Sequence, residues 1–308
     1  MNILLDYFFP ITLIEPTPAA STAFLKQVCV VAKPKSGVSA GSVTLCTSTS
    51  AVAALTDNTE ATQLFNAGMQ RVYVLLSADL DLDVELLGRE ADFHTILITS
   101  DYSDANVTAA DFGAFTGVIG VSSTDDAFLA TQAAIANRAA FHTTVANKAK
   151  NMFYAFGKLL SATSWRNQQY ITMPFADDVD TGGEASNLFD DRINFVISDD
   201  QFGNRLALFA AGGKAIVAPY IVRNFGIDMQ SSALSYISGN QPSYTKKHAA
   251  LLEDELKKVV DDYVARQWIE AGEVEVLLQE ENFVATSNIN IAEPKALWRI
   301  EGEMRQTL

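Results

Sequence analysis

The sequence predicts an α/β (α+β) fold: a central, mostly parallel or mixed sheet flanked by helices, with extended N- and C-terminal β-arms. Three observations predict it. The apolar runs at 71–76, 94–99 and 117–122 are unbroken rather than alternating, and helix-length stretches separate them. That is the pattern of strands covered on both faces. Both ends of the chain read as apolar extended segments. Of 308 residues, 48% are hydrophobic and only 19% charged, so a large core is available and wholesale disorder is excluded.

The chain opens MNILLDYFFPITLIEPTP, with no Lys or Arg before Lys26, so the basic start of a secretory leader is missing. Asp6 and Pro10 interrupt the apolar run, which forbids a membrane span there. Pro10, Pro16 and Pro18 also make a helix poor. Residues 1–20 are therefore expected to form an extended arm, whose apolar side chains must be buried on its own domain or on another chain.

Residues 27–47 read as a hairpin, with strands VCVVA and SVTLC and the connection KPKSGVSAG. Its Cys29 and Cys46 are read as reduced core thiols, since two cysteines make no disulfide framework and no zinc spacing. A helix is expected over 48–68, with Thr56, Asp57 and Asn58 as a start signal. Strands follow at 71–76, 94–99 and 117–122, with short helices at 80–90 and 108–115, and Thr124–Asp126 caps a helix running to about 138. Further strands are read at 170–175 and 193–198, and helices at 149–161 and 203–212. The apolar 215–222 contains Pro219 and is either a kinked helix or an edge strand.

The best-defined helix lies in SYTKKHAALLEDELKKVVDDYVARQWIEAGE, where Leu252, Leu256, Val259, Tyr263 and Val264 form a stripe and Glu253/Lys257 an i,i+4 pair. Gly272 is placed as its C-cap. Strands are expected at 274–279 and 283–291, and the closing KALWRIEGEMRQ alternates as a half-buried strand with Trp298, Ile300 and Met304 on one face. Four regions result: 1–20, an extended arm; 21–140 and 141–245, two α/β regions; and 246–308, a helix with β-strands and a terminal arm.

Chemistry is sparse. The net charge of −15 opposes phosphate neutralisation and docking on anionic lipid, so neither nucleic acid nor membrane insertion is expected. GVSAG (37–41) matches a nucleophile elbow, but a strand-like run follows Ser39 where a helix is required. AAGGKA (210–215) fails as a phosphate loop, lacking the first glycine at Leu208 and the hydroxyl at Ala215. The acidic stretch 177–191 does not keep EF-hand spacing, since Phe189 stands twelfth from Asp178; it reads as a solvated loop, with a non-standard metal site left open. His94, His142 and His248 are isolated in sequence. Asp101 and Asp104 follow a strand end, where α/β enzymes keep their sites and where helix caps are equally common. No catalytic set, cofactor site or metal set is assigned, and the chain is read as not an enzyme.

Taken together, the chain resembles a small tail sheath protein of contractile bacteriophages. LTDNTEATQLFNAGMQRVYVLL is similar to the family's helix, glycine turn and strand, and GNRLALFAAGGKAIVAPYIVRNFG to its middle part. HAALLEDELKKVVDDYVARQWIEAG leading into VEVLLQEENFVATSNINIAEPKALWRIEGEMRQ is similar to its closing helix and strands. The family's W-G-x-R-T segment is absent. The resemblance implies a virion structural protein, built in the host cytoplasm and located in the tail. It implies a helical homo-oligomer of stacked hexameric rings around a tube protein, bounded by baseplate and terminator. It implies that shortening of the sleeve drives the tube into the host envelope. It also implies inter-subunit roles for Ile3, Leu5, Phe8, Phe9 and Ile11 in the N-terminal arm, and for Trp298, Ile300 and Met304 in the C-terminal arm. The competing reading is an oligomeric α/β enzyme or ligand-binding protein using Asp101, Asp104 and the acidic stretch, or another tail component (tube, terminator or baseplate).

Overall fold

A computed structural model describes residues 25–80, 82, 92–112, 115–162, 171–176, 179, 183–199, 203–240, 245–279 and 284–292. Its centre is a mixed six-stranded sheet. The strands are β1 (Val28–Ala32), β2 (Val43–Cys46), β3 (Val72–Leu76), β4 (Thr95–Ile98), β5 (Val118–Ser123) and β6 (Arg138–His142), in the order β2-β3-β1-β4-β5-β6. All neighbours are parallel except β2, which runs antiparallel to β3 at one edge. The α/β class and the mixed sheet flanked by helices are as read from the sequence; the two terminal arms lie outside the described residues.

The hairpin expected at 27–47 does not form. β3 inserts between the two strands, pairing with β1 through Val30↔Val74 and with β2 through Thr44↔Val74. Burial explains the arrangement: every residue of β1 is buried, as a central strand requires, whereas Val43, Thr44 and Leu45 of β2 remain partly exposed. Cys29 and Cys46 are free and buried, and they pack on opposite faces of the sheet.

Helices cover both faces. One face takes Val28, Val30, Val74 and Leu97 against α1 (Thr49–Leu55), α2 (Thr62–Asn66), α5 (Lys150–Ser161) and α7 (Ala218–Asn240). The other takes Val31, Ile96, Ile98 and Val121 against α3 (Asp104–Ala109), α4 (Asp126–Ala133) and α6 (Gly183–Asp190). Alternate residues of each central strand thus enter separate cores, which is why the runs show no polar face. At Gly157 of α5 an added Cβ would stand 2.6 Å from the Ala67 Cβ, so only glycine allows this approach of α5 to α2.

Several boundaries differ from expectation for local reasons. The helix read over 48–68 is two helices. Ser48 caps α1 by accepting from the Ala51 N–H, and Thr56 and Asn58 then bond the backbone of Asn58 and Glu60, competing with helix and breaking it. The helix expected at 108–115 lies earlier, as α3, started by a Ser103/Asn106 capping box. Asp125 caps α4 as expected, but the helix ends at Ala133 and Arg138 opens β6, a strand the sequence reading missed. The 80–90 region is largely outside the described residues.

The helix expected at 203–212 is replaced by β8 (Gly203–Leu206), antiparallel to β7 (Val196–Asp199), and by β9 (Ala210–Ala211), antiparallel to β10 (Lys214–Ala215). Leu208 and Ala210 enter one core and Phe209 and Ala211 the other, so two-sided burial overrides a helix-favouring composition. The part of 170–175 that is described contributes only a bridge, Thr172 to Arg205. The ambiguous 215–222 resolves into the start of α7. Pro219 sits in its first turn, where the missing N–H has no intrahelical partner to lose.

Candidate assembly surface and the carboxyl edge of the sheet

The chain winds one way from β1 to β3 and the other way through β4, β5 and β6, so a switch point lies between β1 and β4. Polar side chains gather at the carboxyl ends there, and they hold loops together. Glu60, 1% exposed, accepts from the Ser100 N–H at 3.0 Å, from the Ser100 hydroxyl, and from the backbone of Ala149 at the start of α5. Burial raises its pKa above the ordinary carboxylate value, and the Ser100 bonds pull it partly back. Asp101 accepts from Asn58 Nδ2 and Thr99 Oγ1, both at 3.1 Å, and Thr99 Oγ1 also reaches the Val31 carbonyl at 3.0 Å. Asp104 accepts from Ser123 Oγ at 2.7 Å. Asp101 and Asp104 are thus brought to the edge expected of them, tied into loop and cap bonds.

The other candidate motifs are placed as follows. Ser39 is exposed between β1 and β2, and no helix follows it. Gly212 and Gly213, with φ of +54° and +73°, form the tight turn between β9 and β10, and the Gly212 N–H donates to the Arg138 carbonyl at 2.8 Å. His94 is buried edge-on to Tyr220, with ring centroids 5.3 Å apart; burial, then the Arg223 charge, lowers its pKa to about 3, so it stays neutral. His248 lies in the first turn of a later helix, with Nδ1 3.1 Å from the Tyr236 hydroxyl. His142 closes β6.

The C-terminal part builds a different kind of surface. α8 (Lys246–Ala265) begins at Thr245, whose hydroxyl accepts from the His248 N–H. It buries Leu256, Val260 and Tyr263, while Val264, expected in the stripe, is 38% exposed. Tyr263 anchors it to α7: its hydroxyl donates to Asp228 Oδ2 at 2.6 Å, and its ring stands edge-on to Phe225 and Trp268. The helix stops at Arg266, and Gly272, expected as its cap, lies in β11 (Ala271–Gln279). β11 pairs antiparallel with β12 (Val284–Ala292) over nine residues, from Ala271↔Ala292 to Gln279↔Val284. In β11, Val274 faces inward while Glu273, Glu275 and Leu277 face out.

The ribbon's two long edges differ. The Val276 N–H points away from β12 and donates to Glu253 Oε2 of α8 at 3.1 Å. Glu253 is held in turn by Lys257 Nζ at 2.6 Å, the pair read from the sequence; that hydrogen bond, then the one from Val276, keeps its carboxyl below the ordinary value. The outer edge of β11 is therefore partly occupied by its own helix. Among the described residues β12 pairs with β11 alone, so its outer row of N–H and C=O groups takes no strand. The reach from Glu253 to Val276 left no sequence signal, because the i,i+4 pair accounts for both charges. Ile3, Leu5, Phe8, Phe9, Ile11, Trp298, Ile300 and Met304 lie outside the described residues.

No family model and no curated protein matches the chain. Solved structures do. A chain of the anti-feeding prophage baseplate superposes with a TM-score of 0.67 at 14% identity, over 96% of this chain and 97% of that one. The sheath complex of an extracellular contractile injection system in its contracted state gives 0.67 at 11% identity, over 97% and 98%. The crystal structure of a sheath tail protein from Desulfitobacterium hafniense gives 0.55 at 8% identity, over 91% and 98%. The fold of this chain is the contractile tail sheath fold, matched nearly end to end.

Proposed function

We propose that this chain is a structural subunit that polymerises into the contractile helical sheath around a tail tube by strand exchange of its terminal arms. Shortening of the sleeve then drives the tube into a target envelope. The observation that carries the reading is the β11–β12 ribbon: on a sheath fold, a two-stranded sheet whose β12 edge takes no strand among the described residues. A ribbon of two strands is marginal alone, and an open edge is a template for another chain. Main-chain bonds would supply affinity there and side-chain pockets register.

In this reading Ile3, Leu5, Phe8, Phe9 and Ile11 belong to an arm donated to a neighbour's ribbon. Trp298, Ile300 and Met304 belong to a second donated strand. A head-to-tail contact that does not close on itself generates a helix, here of stacked hexameric rings. The partners are further copies of the chain, a tube protein, a baseplate and a terminator, and the place is the tail of a virion or a phage-like injection device. No nucleotide is consumed, because the energy resides in a metastable assembled state. The engagement of Glu60, Asp101 and Asp104 in loop-holding bonds supports a structural rather than a catalytic use of the carboxyl edge.

Negative-stain microscopy of the full-length protein beside a form lacking residues 1–18 tests this. Long hollow sleeves from the first and none from the second are expected. Compact particles of one small size from both would overturn the reading.

A further inference from the structure

We propose that Asp126, His142 and Glu184 form a binding site for a first-row divalent transition-metal cation, with zinc the ion its donors suit best. The site lies at the carboxyl end of β6 and goes beyond the assembly reading. One ligand atom from each residue lies within 4.8 Å of the other two. His142 Nδ1 and Asp126 Oδ1 are 2.9 Å apart. Zinc binds imidazole and carboxylate at about 2.0–2.2 Å in tetrahedral geometry, which places neighbouring ligand atoms roughly 3.3 Å from each other. The His142–Asp126 pair, a hydrogen bond without the ion, stands close to that spacing; binding exchanges its proton for the cation, and Glu184 closes in from within 4.8 Å.

Three separate elements deliver the donors, and secondary structure positions each of them. His142 ends β6, where its N–H donates to the Asn194 carbonyl at 2.8 Å. Asp126 opens α4 directly after the cap Asp125, whose carboxylate holds the Ala127 N–H at 2.9 Å. Glu184 lies in the first turn of α6. The imidazole is mostly covered, with its side chain 11% exposed, while the Asp126 side chain is 48% exposed. The site is thus walled on one side and open on the other, which suits three protein ligands and a water.

Electrostatics favour a cation, with an offset. Asp104 and Asp125 meet nearby through Ser123, whose hydroxyl donates to Asp104 and accepts from the Asp125 N–H. The two ligand carboxylates stand in the first turns of helices, whose N-terminal dipoles repel part of the cation's charge. The imidazole decides the ion class: calcium and magnesium prefer all-oxygen shells, whereas a neutral histidine selects zinc and its neighbours in the first row. A bound ion would tie α6, and with it the acidic stretch 177–191, to the edge strand β6. In the sequence these donors are far apart: His142 reads as isolated, Asp126 as part of a helix cap, and Glu184 as one of many carboxylates in the acidic stretch 177–191.

The test uses the full-length protein stripped with a chelator, then titrated with zinc chloride. Calorimetry and thermal unfolding are read together, with cobalt absorption in the visible as a report on coordination. Glu184→Gln is the main variant, since Glu184 is partly exposed, and His142→Asn is the second. Expected are one equivalent bound, a rise of several degrees in Tm, cobalt d–d bands, and at least a tenfold weaker affinity in Glu184→Gln, which keeps its fold by circular dichroism. No zinc shift and no cobalt bands in the wild type would overturn the proposal. So would binding of unchanged affinity in Glu184→Gln, which would place the ion on other carboxylates. If His142→Asn fails to fold, Glu184→Gln decides alone.

Discussion

Asn194 does with a side chain what a strand does with its backbone. It is fully buried; its amide donates to the Ala210 carbonyl at 3.0 Å and accepts from the Ala210 N–H at 2.6 Å. Its own backbone bridges to β6, donating to Ala140 and accepting from His142. One residue therefore joins β9 to the sheet, and its loss strands two buried backbone groups. Asn194→Ala is expected to cost about 2–6 kcal/mol, at roughly 1–3 kcal/mol for each of the two unsatisfied groups. A urea midpoint lowered at unchanged slope checks it, and a midpoint within error of wild type would contradict it. Glu60 offers a pH signature. Its pKa is raised in the folded state, chiefly by burial, so the native protein holds this proton more tightly than the unfolded chain. Its contribution is then fully present below the ordinary carboxylate pKa and is lost as pH rises through the raised value. The Tm of wild type minus that of Glu60→Gln should therefore fall as pH rises above the ordinary carboxylate range. A difference that is flat or grows with pH would show that burial does not govern this carboxyl.

At the scale of elements, the strands that were legible are those with a two-sided apolar signature: β1, β3, β4 and β5 stand where unbroken runs of Val, Ile and Leu placed them. Legibility failed where composition and burial disagree, as in β8 and β9, and where strand order matters, as in the false hairpin of β1 and β2. Sequence adjacency cannot reveal that β3 comes between them, because the insertion depends on a crossover of the chain. The candidate site was less legible. The ribbon strands and the Glu253–Lys257 pair were readable, but the capping of β11 by Glu253 was not. The ribbon register makes a specific test possible. Since the Val276 N–H points outward and Val276 pairs with Ser287, the Ser287 N–H also points outward, along the β12 edge. Ser287→Pro thus removes an edge donor while sparing the ladder to β11. The variant is expected to fold with a Tm near wild type and to lose assembly in a sedimentation assay. Normal assembly would show that the β12 edge is not the acceptor.

At the scale of the molecule, a three-layer body carries a helix pair and a ribbon, and 91–97% of the chain is covered by matches to sheath and baseplate chains at 6–14% identity. Such a match survives sequence divergence because the constraints are physical: strands buried on both faces and helices that cover them. The net charge of −15 makes copies repel, so the proposed assembly would have to draw on directional contacts or on a basic partner surface. The central claim is that neighbours complete one another's ribbon. Helical reconstruction of the assembled protein by cryo-electron microscopy tests it most directly. The account predicts an additional strand beside β12, traceable to residues 1–20 or 293–308 of a neighbouring subunit. A bare β12 edge, with both terminal segments folded back on their own body, would contradict it.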